Sequence, residues 1–509
     1  MRGSTHSETE RKYELGTGVR VPALDRVPGV ARETGSRPER LDAVYFDTKD
    51  LRLARAGLTL RRRTGGPDQG WHLKVPAGPD TRAEVRVPLD GPADTPPDEL
   101  TDLVLGHTRG AKLAPVARIT TNRGRRQLLG RDGTALAEVT DDRVTATRSD
   151  RPSMTDSWRE IEVELAAAGP ELLDAAEAEL REAGITPSRS ASKLQRVLRM
   201  SPASSAPPGR KATAGEVVLA YLRTQAESIT KHDLLARQGA DDAVHQLRVA
   251  VRRMRAALSV YGRVVERDRT RRLTGELRWL GRRLGPARNS EMLERLFRDQ
   301  VAALPAELVL GPVDGRITRH FAPAGRDAAR TVRRTLRDER YLRLLDEIHG
   351  LLADPPLTKR ASRRAKAELP KHVRRAYRKT ARRIRDLGAV RPGPRRDVAV
   401  HQVRKAARRL RYAVECADPA IGRPARRTGK RAKALTKLLG GFQDSVVARP
   451  VARELATVAH LAGENGFTFG LLHGRLSHQA DGAERELLGR WARISARKSG
   501  EWFGASRSG

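Results

Sequence analysis

Hydrophobic residues recur at every second position before Ser201 and about every 3.6 positions after Gly215, and the period changes only once. Between the two regimes lies SPASSAPPGRKATAG, Ser201 to Gly215, a small, polar, Pro-rich stretch that reads as a linker. A single core seldom grows beyond roughly 250 to 300 residues, so a chain of 509 residues is expected to hold at least two domains. The switch places them at 6–200 and 216–505, with 201–215 as linker.

In the first region the alternating segments are ETERKYEL, GLTLRRR, GWHLKVP, AEVRVPL, TALAEVTDD and SWREIEVEL, punctuated by Gly, Pro and Asp. Such a pattern predicts many antiparallel strands. One helix interrupts them in PELLDAAEAELREAG, where Pro170 suits a first turn and Gly184 ends the run. After the linker, VVLAYLRTQAESI, AVHQLRVAVRRMRAAL, RRLTGELRWLGRRL and KHVRRAYRKTARRIRDL all carry helical periodicity, and strand-like runs vanish. The expected fold class is α+β and multidomain: a β-barrel followed by an all-α bundle.

Charge divides at the same place. The chain carries a formal +37; residues 1–200 hold 33 Lys+Arg against 31 Asp+Glu, leaving 66 against 31 for the rest. A Arg-favouring genome would raise Arg everywhere, not spare the first 200 residues. A cationic second region therefore calls for an acidic partner. Aromatic residues make up only 4% of the chain, whereas grips on single-stranded nucleic acid interleave bases with aromatic rings, so the balance favours phosphate without nucleobases. The lone Cys416 forms no internal disulfide and no Cys-rich metal site. The opening MRGSTHSETERKYEL lacks a signal peptide's apolar run, and no apolar stretch reaches the roughly 18 residues a membrane span requires. A soluble, cytoplasmic protein without a membrane partner is the expectation.

The helical region repeats itself. VHQLRVAVRRMR begins at Val244 and VHQVRKAARRLR at Val400; LGPARNSEML follows the first from Leu284, and LGGFQDSVVA the second from Leu439. The spacing from His245 to Gly285 is 40 and from His401 to Gly440 is 39, which implies two units of common plan, about 216–300 and 371–460. Positions three and four apart share a helix face. Val244, Leu247, Val251, Met254 and Leu258 form an apolar stripe beside a basic one of His245, Arg248, Arg252 and Arg255. Val400, Val403, Ala407 and Leu410 repeat the first stripe, and His401, Arg404, Arg408 and Arg411 the second. A basic row beside a core-facing seam belongs at the rim of a groove. There the planar Arg fork can donate to two phosphate oxygens at once, and each histidine adds a donor that charges as pH falls below about 6.5. Lys371, Arg375, Arg378 and Arg382 continue the theme on the intervening helix.

These two His-x-x-Arg helices, each followed by a Leu-Gly phrase, resemble the CHAD domain family from about Glu216 to the C-terminus. The resemblance implies that the basic rows bind inorganic polyphosphate, and with it a possible address at polyphosphate granules. The family's phrase after Leu-Gly carries Asp residues, where this chain has Asn289 and Glu291 in the first copy and Asp444 in the second.

In the first region, Glu8, Glu10 and Lys12 alternate along one segment and so share a strand face. Carboxylates two apart on a strand lie ~7 Å apart at Cα, close enough to share hard cations. Glu160, Glu162 and Glu164 alternate likewise against Ile161, Val163 and Leu165. Thr59, Arg61 and Arg63, with Lys74 and Arg86, offer a basic face at the same period. A barrel lined by acids on one side and bases on the other would hold a divalent metal against a triphosphate.

Glu-x-Glu-x-Lys near the start, followed in order by VYFDT, LRRR, WHLKVP, EVRVPL, the AEVTDD phrase at Ala137 to Asp142, WREIEVEL and Ser192-Lys193-Leu194, is similar to the CYTH domain, the triphosphate tunnel fold, over about residues 6–200. That resemblance implies an eight-stranded tunnel in which Glu8, Glu10, Glu160 and Glu162 bind Mg²⁺ or Mn²⁺, with Glu138 and Asp141 assisting. It implies phosphate held by Arg61, Arg63, Lys74, Arg86, Arg118 and Lys193, and catalysis resting on Glu8, Glu10 and Lys12. Where related chains carry a second basic residue two positions after Arg118, this one has Thr120, and Arg123 is the available substitute. The expected function is polyphosphate binding with metal-dependent hydrolysis of tripolyphosphate or polyphosphate. The alternatives are a binding protein of polyphosphate granules without turnover, or cyclase-type chemistry on an organic triphosphate.

Overall fold

The computed structural model describes residues 4–16, 18–200, 208–209, 211–496 and 501–504. The chain divides into two compact units, Met1–Ser205 and Ala206–Gly509. Most of the Pro-rich stretch expected as linker lies outside the described residues. Its last positions already start a helix: Thr213 caps Ala214–Arg237 in a reciprocal capping box with Glu216.

Eight strands form the barrel of the first unit: β1 Ser4–Leu15, β2 Arg37–Asp47, β3 Thr59–Thr64, β4 Gly70–Pro76, β5 Thr81–Val87, β6 Ala114–Leu129, β7 Ala135–Arg148 and β8 Arg151–Leu165, with the two-residue strands Arg32–Glu33 and Thr186–Pro187 added at β6 and β1. Every neighbour is antiparallel, in the ring order β1-β5-β4-β3-β2-β6-β7-β8, and β1 closes the ring by pairing with β8 from Glu10↔Glu164 to Leu15↔Arg159. Closure leaves an inner and an outer face on each strand. Ile161 and Val163 of β8 point outward into a core with Tyr13, Val139 and the helix Glu171–Glu182, which contributes Leu172, Leu173, Ala176 and Leu180. The same alternation turns Glu160, Glu162 and Glu164 inward, as their spacing predicts.

The six alternating sequence segments all lie on strands of this ring. Two long strands, β2 and β6, escape the period-two reading. On β6 the inward positions change character midway, from Ala117 and Ile119 in a hydrophobic cluster to Arg123 and Arg125 on the cavity wall, so no single hydrophobic face exists to be read.

The second unit is helical. Its elements that matter here are α1 Ala214–Arg237, α2 Ala243–Val260, α3 Arg271–Arg283, α4 Gly285–Ala302, α5 Ala365–Gly388, α6 Pro394–Ile421 and α7 Arg423–Leu461. The apolar stripes of both repeated helices enter one core: Leu247, Val251, Met254 and Leu258 of α2 with Val400, Val403, Ala407 and Leu410 of α6. Tyr261, at the end of α2, donates its hydroxyl to the Ala413 carbonyl of α6 at 2.6 Å and so ties one repeat to the other. The copies differ downstream. In the first, the Leu-Gly phrase breaks α3 from α4 at Leu284; in the second, it sits inside the continuous α7.

Candidate functional site

Inside the barrel lies a cavity of about 310 Å³ lined by Glu8, Glu10, Lys12, Arg61, Arg63, Lys74, Arg86, Arg123, Arg125, Glu138, Glu162, Glu164 and Lys193, among others. The ring positions these side chains because each strand contributes every second residue to it, except Lys193, which opens the short helix Lys193–Val197. Lys12 reaches Glu10 at 3.1 Å and also contacts Glu162; Arg86 meets Glu8 at 2.9 Å, and Lys74 meets the same carboxylate. Lys193 stands within 2.8 Å of Asp142 and 2.7 Å of both Glu160 and Glu162. Burial works against the ammonium of Lys193, yet these three carboxylates hold its proton well above the ordinary lysine range. Burial likewise opposes the charge of Glu162, which Lys12, Lys193 and Arg123 keep ionised well below the usual carboxylate range.

Two of the expected site residues lie elsewhere. Arg118 is on the outer face of β6, its side chain two-thirds exposed at 68% and paired bidentately with Asp42 at 2.8 to 3.1 Å. The inward cations of that strand are Arg123 and Arg125. Asp141 also points outward, paired with Arg159 at 2.6 Å, and its neighbour Asp142 takes the inner position. Asp142 accepts from Arg123 at 2.7 Å and forms with Glu160 and Glu162 a buried trio whose carboxylate oxygens lie within 4.8 Å of one another. Parity along β7 carries the signal for this choice: Asp142 shares a face with Glu138 and Thr140, while Asp141 does not.

Two carboxylates of the same acidic wall, Glu164 and its register partner Glu138, are less compensated. Glu164 is pushed up to about 7, first by burial and then by Glu8, with Glu10 and Glu162 adding to the effect. Glu138 is also held above the usual carboxylate range, chiefly by burial. Across the cavity, Arg63 is lowered to about 9 by burial and by the nearby Arg61 and Arg123, and the buried Nε atoms of Arg61 and Arg63 have no hydrogen-bond acceptor. Hard oxygen donors crowded against one another suit a divalent cation, and crowded guanidinium groups with unsatisfied Nε donors suit phosphoryl oxygens.

In the helical unit, the two basic stripes meet. Arg252 of α2 lies close enough to act on Arg404 and Arg408 of α6 as well as on Arg248 and Arg255 of its own helix. Burial and these like charges lower Arg248 and Arg408 to about 10, and Arg255 and Arg404 in the same direction. The Leu-Gly phrases lie beside the same stripes. Arg248 donates to the Gly285 carbonyl at 3.3 Å, and a Cβ at Gly285 would lie 3.9 Å from Arg248 Nη2; at Gly440 it would lie 4.0 Å from Arg404 Nη2. The next matched pair, Arg288 and Gln443, faces the stripe histidines: Arg288 acts on His245, and Gln443 contacts His401 Nδ1 at 2.5 Å. On α5, Lys371 instead pairs with the buried Glu368 at 3.0 Å, together with Arg360 and Arg363. Arg375 lies near Arg263 and Arg360, while Arg382 acts with Arg409 on Lys379. Arg411 faces Glu415 at 3.9 Å.

His245 differs from its expected behaviour. Burial first, then Arg288, with Arg252 and Arg248 adding less, lower it to about 4 against an opposing pull from Asp242. His401 is lowered in the same sense by burial, Lys405, Arg404 and Arg408, with Gln443 opposing. Both imidazoles therefore stay neutral at pH values where free histidine charges. Because the unfolded chain binds these protons first, stability of the free protein falls as pH drops from about 6.5 toward 4. The melting temperature of the protein is expected to fall between about pH 6.5 and 4, and to fall less in His245→Gln/His401→Gln, measurable by differential scanning fluorimetry.

The CYTH domain model matches residues 6–198 and the CHAD domain model residues 220–453. The chain belongs to the proteins that join a CYTH barrel to a CHAD helical domain. Two uncharacterized proteins of Mycobacterium tuberculosis, from strains CDC 1551 and H37Rv, are each 37% identical to it over 497 residues, 95% of either chain. Among solved structures, PptA from Streptomyces chartreusis is 21% identical with a TM-score of 0.44, covering 55% of this chain and 99% of that one. The CHAD domain of the plant Ricinus communis is 22% identical with a TM-score of 0.44, covering 58% of this chain and 96% of that one. Among the described residues, no helix is long and apolar enough to cross a membrane.

Proposed function

We propose that the protein binds inorganic polyphosphate through the helical unit and hydrolyses tripolyphosphate or polyphosphate in the barrel with a divalent metal, Mg²⁺ or Mn²⁺. The observation that carries this reading is the meeting, within one cavity, of crowded carboxylates with the guanidinium groups of Arg61 and Arg63, whose buried Nε atoms lack acceptors. Glu8, Glu10, Glu162 and Glu164 would hold the divalent metal, which would supply positive charge against the charge developing at phosphorus. Arg61, Arg63 and Lys74 bind and orient the phosphoryl oxygens. Lys12 and Lys193 hold the carboxylate array in shape through their contacts with Glu10, Glu160 and Glu162. The carboxylates of that array orient the attacking water. The remaining positions expected to take part, Arg86 and Glu138, line the same cavity, whereas Arg118 and Asp141 are outside it and are given no part.

Incubating full-length protein with tripolyphosphate, ATP or thiamine triphosphate in Mg²⁺ and in Mn²⁺ separates the readings. Orthophosphate release from tripolyphosphate, abolished by a chelator, is the expected outcome. A cyclic nucleotide from ATP would instead establish cyclase chemistry. Salt-sensitive polyphosphate binding without turnover of any substrate would leave a granule-associated binding protein.

A further inference from the structure

The hairpin tip between β3 and β4, residues 65–69, is part of the cavity wall, where Pro67 and Asp68 line the space beside Arg61 and Arg63. The tip is pressed against the barrel. Gly65 and Gly66 have φ of +80° and +74°, and a Cβ on Gly65 would lie 2.2 Å from the Arg40 carbonyl oxygen, so only glycine admits this close approach. His72, 1% exposed, anchors the far side by contacting the Asp68 carbonyl at 2.9 Å with Nε2, while its Nδ1 contacts Glu84 at 2.9 Å. The Asp68 carboxylate consequently sits on the guanidinium of Arg63, whose Nη2 also donates to the Asp68 carbonyl at 3.2 Å.

Arg63 is only 4% exposed. Its Nη2 is occupied by Asp68, but its buried Nε has no acceptor, nor has the buried Oδ1 of Asp68 a donor. The guanidinium is thus half served by an internal anion. A carboxylate in that position carries one negative charge, fewer than a phosphoryl group supplies.

We infer that Asp68 is a built-in competitor for phosphate at Arg63: a substrate engages this cation by displacing the carboxylate, and the hairpin tip thereby selects for phosphate chains of high charge. This rests on the proposed phosphate-binding tunnel and adds the residue that sets its selectivity. Orthophosphate and pyrophosphate, with fewer charges to set against the carboxylate, are held weakly; tripolyphosphate and longer chains displace it. Products short enough to lose the competition are released.

The test uses the full chain and its variants Asp68→Asn, Arg63→Gln and the double variant, measuring Kd for tripolyphosphate and pyrophosphate by calorimetry in Mg²⁺. In Asp68→Asn, pyrophosphate is expected to bind about tenfold more tightly and tripolyphosphate to gain less, so the ratio of the two affinities narrows. In the Arg63→Gln background Asp68→Asn is expected to change neither affinity, a non-additivity that a purely structural loop defect would not produce. An Asp68→Asn protein whose melting temperature is retained and whose affinity ratio equals that of wild type overturns the inference while leaving the tunnel reading intact. If tripolyphosphate binds neither protein in the barrel, judged with Arg252→Gln/Arg408→Gln present to silence the helical unit, both are overturned.

Discussion

Replacing Glu8 and Glu10 together by Gln is expected to lower kcat for tripolyphosphate at least about a hundredfold while lowering KM, because the two carboxylates have opposite effects on metal and on phosphate. On the proposed reading they would be donors for the divalent cation, and the metal-dependent step would suffer when they lose charge. As partners of Lys74, Arg86 and Lys12 they also compete with phosphate for those cations. The double substitution frees the cations, so the substrate in its ground state binds more tightly even as turnover fails. Steady-state phosphate release against substrate concentration, with direct binding measured alongside, reads both effects. A fall in kcat accompanied by a rise in KM would mean that Glu8 and Glu10 do not compete with phosphate for these cations. No change in either would remove the barrel from the hydrolytic proposal. Polyphosphate binding by the helical unit is expected to be untouched.

The barrel's polar interior was legible in sequence wherever one strand kept one character along its length. On β1 and β8, acids alternate with residues that the outer core demands, Tyr13 on one and Ile161 and Val163 on the other, and the inner face followed by parity. Misassignment arose where a strand mixes polar and apolar residues on one face, as Val139 and Asp141 do on β7. Arg118 and Asp141 each sit one residue out of phase with the lumen, on stretches, VARITTNRGRR and EVTDDR, where polar residues occupy both faces. Their pairing to Asp42 and Arg159 across strands is a tertiary fact that neither segment announces. Asp142 could have been found by counting from Glu138. The hairpin-tip contact of Asp68 with Arg63 could not, since it depends on the turn folding back over β2. In the helical unit the repeat was legible because both copies feed one core, but the depressed histidines were not. Their protons answer to Arg288 and the neighbouring stripe, whose nearness only the packing of α2, α4 and α6 creates.

Neutralising Arg248, Arg252, Arg404 and Arg408 to Gln is expected to weaken long-chain polyphosphate binding by about a thousandfold at low salt, and at the same time to raise the melting temperature of the free protein. The first effect follows from losing four cations, each worth roughly one unit in the slope of log Kd against log salt concentration when it contacts a phosphate. The second follows from the sign of the shifts. Burial and mutual repulsion lower Arg248, Arg404 and Arg408, which means that the fold disfavours their charged forms relative to the unfolded chain, and a neutral side chain escapes that penalty. On the proposed reading, wild type would thus hold a groove electrostatically strained until a polyanion enters, a stability cost retained where binding requires it. Fluorescence-detected binding of polyphosphate across a salt series, with calorimetric melting of the same proteins, tests both halves. Weaker binding with a lowered melting temperature would assign these arginines to the core rather than to the groove. Unchanged polyphosphate binding would place the polymer's site elsewhere on the helical unit, with the row of Arg375, Lys379, Arg382 and Arg409 as the remaining concentration of like charge near it.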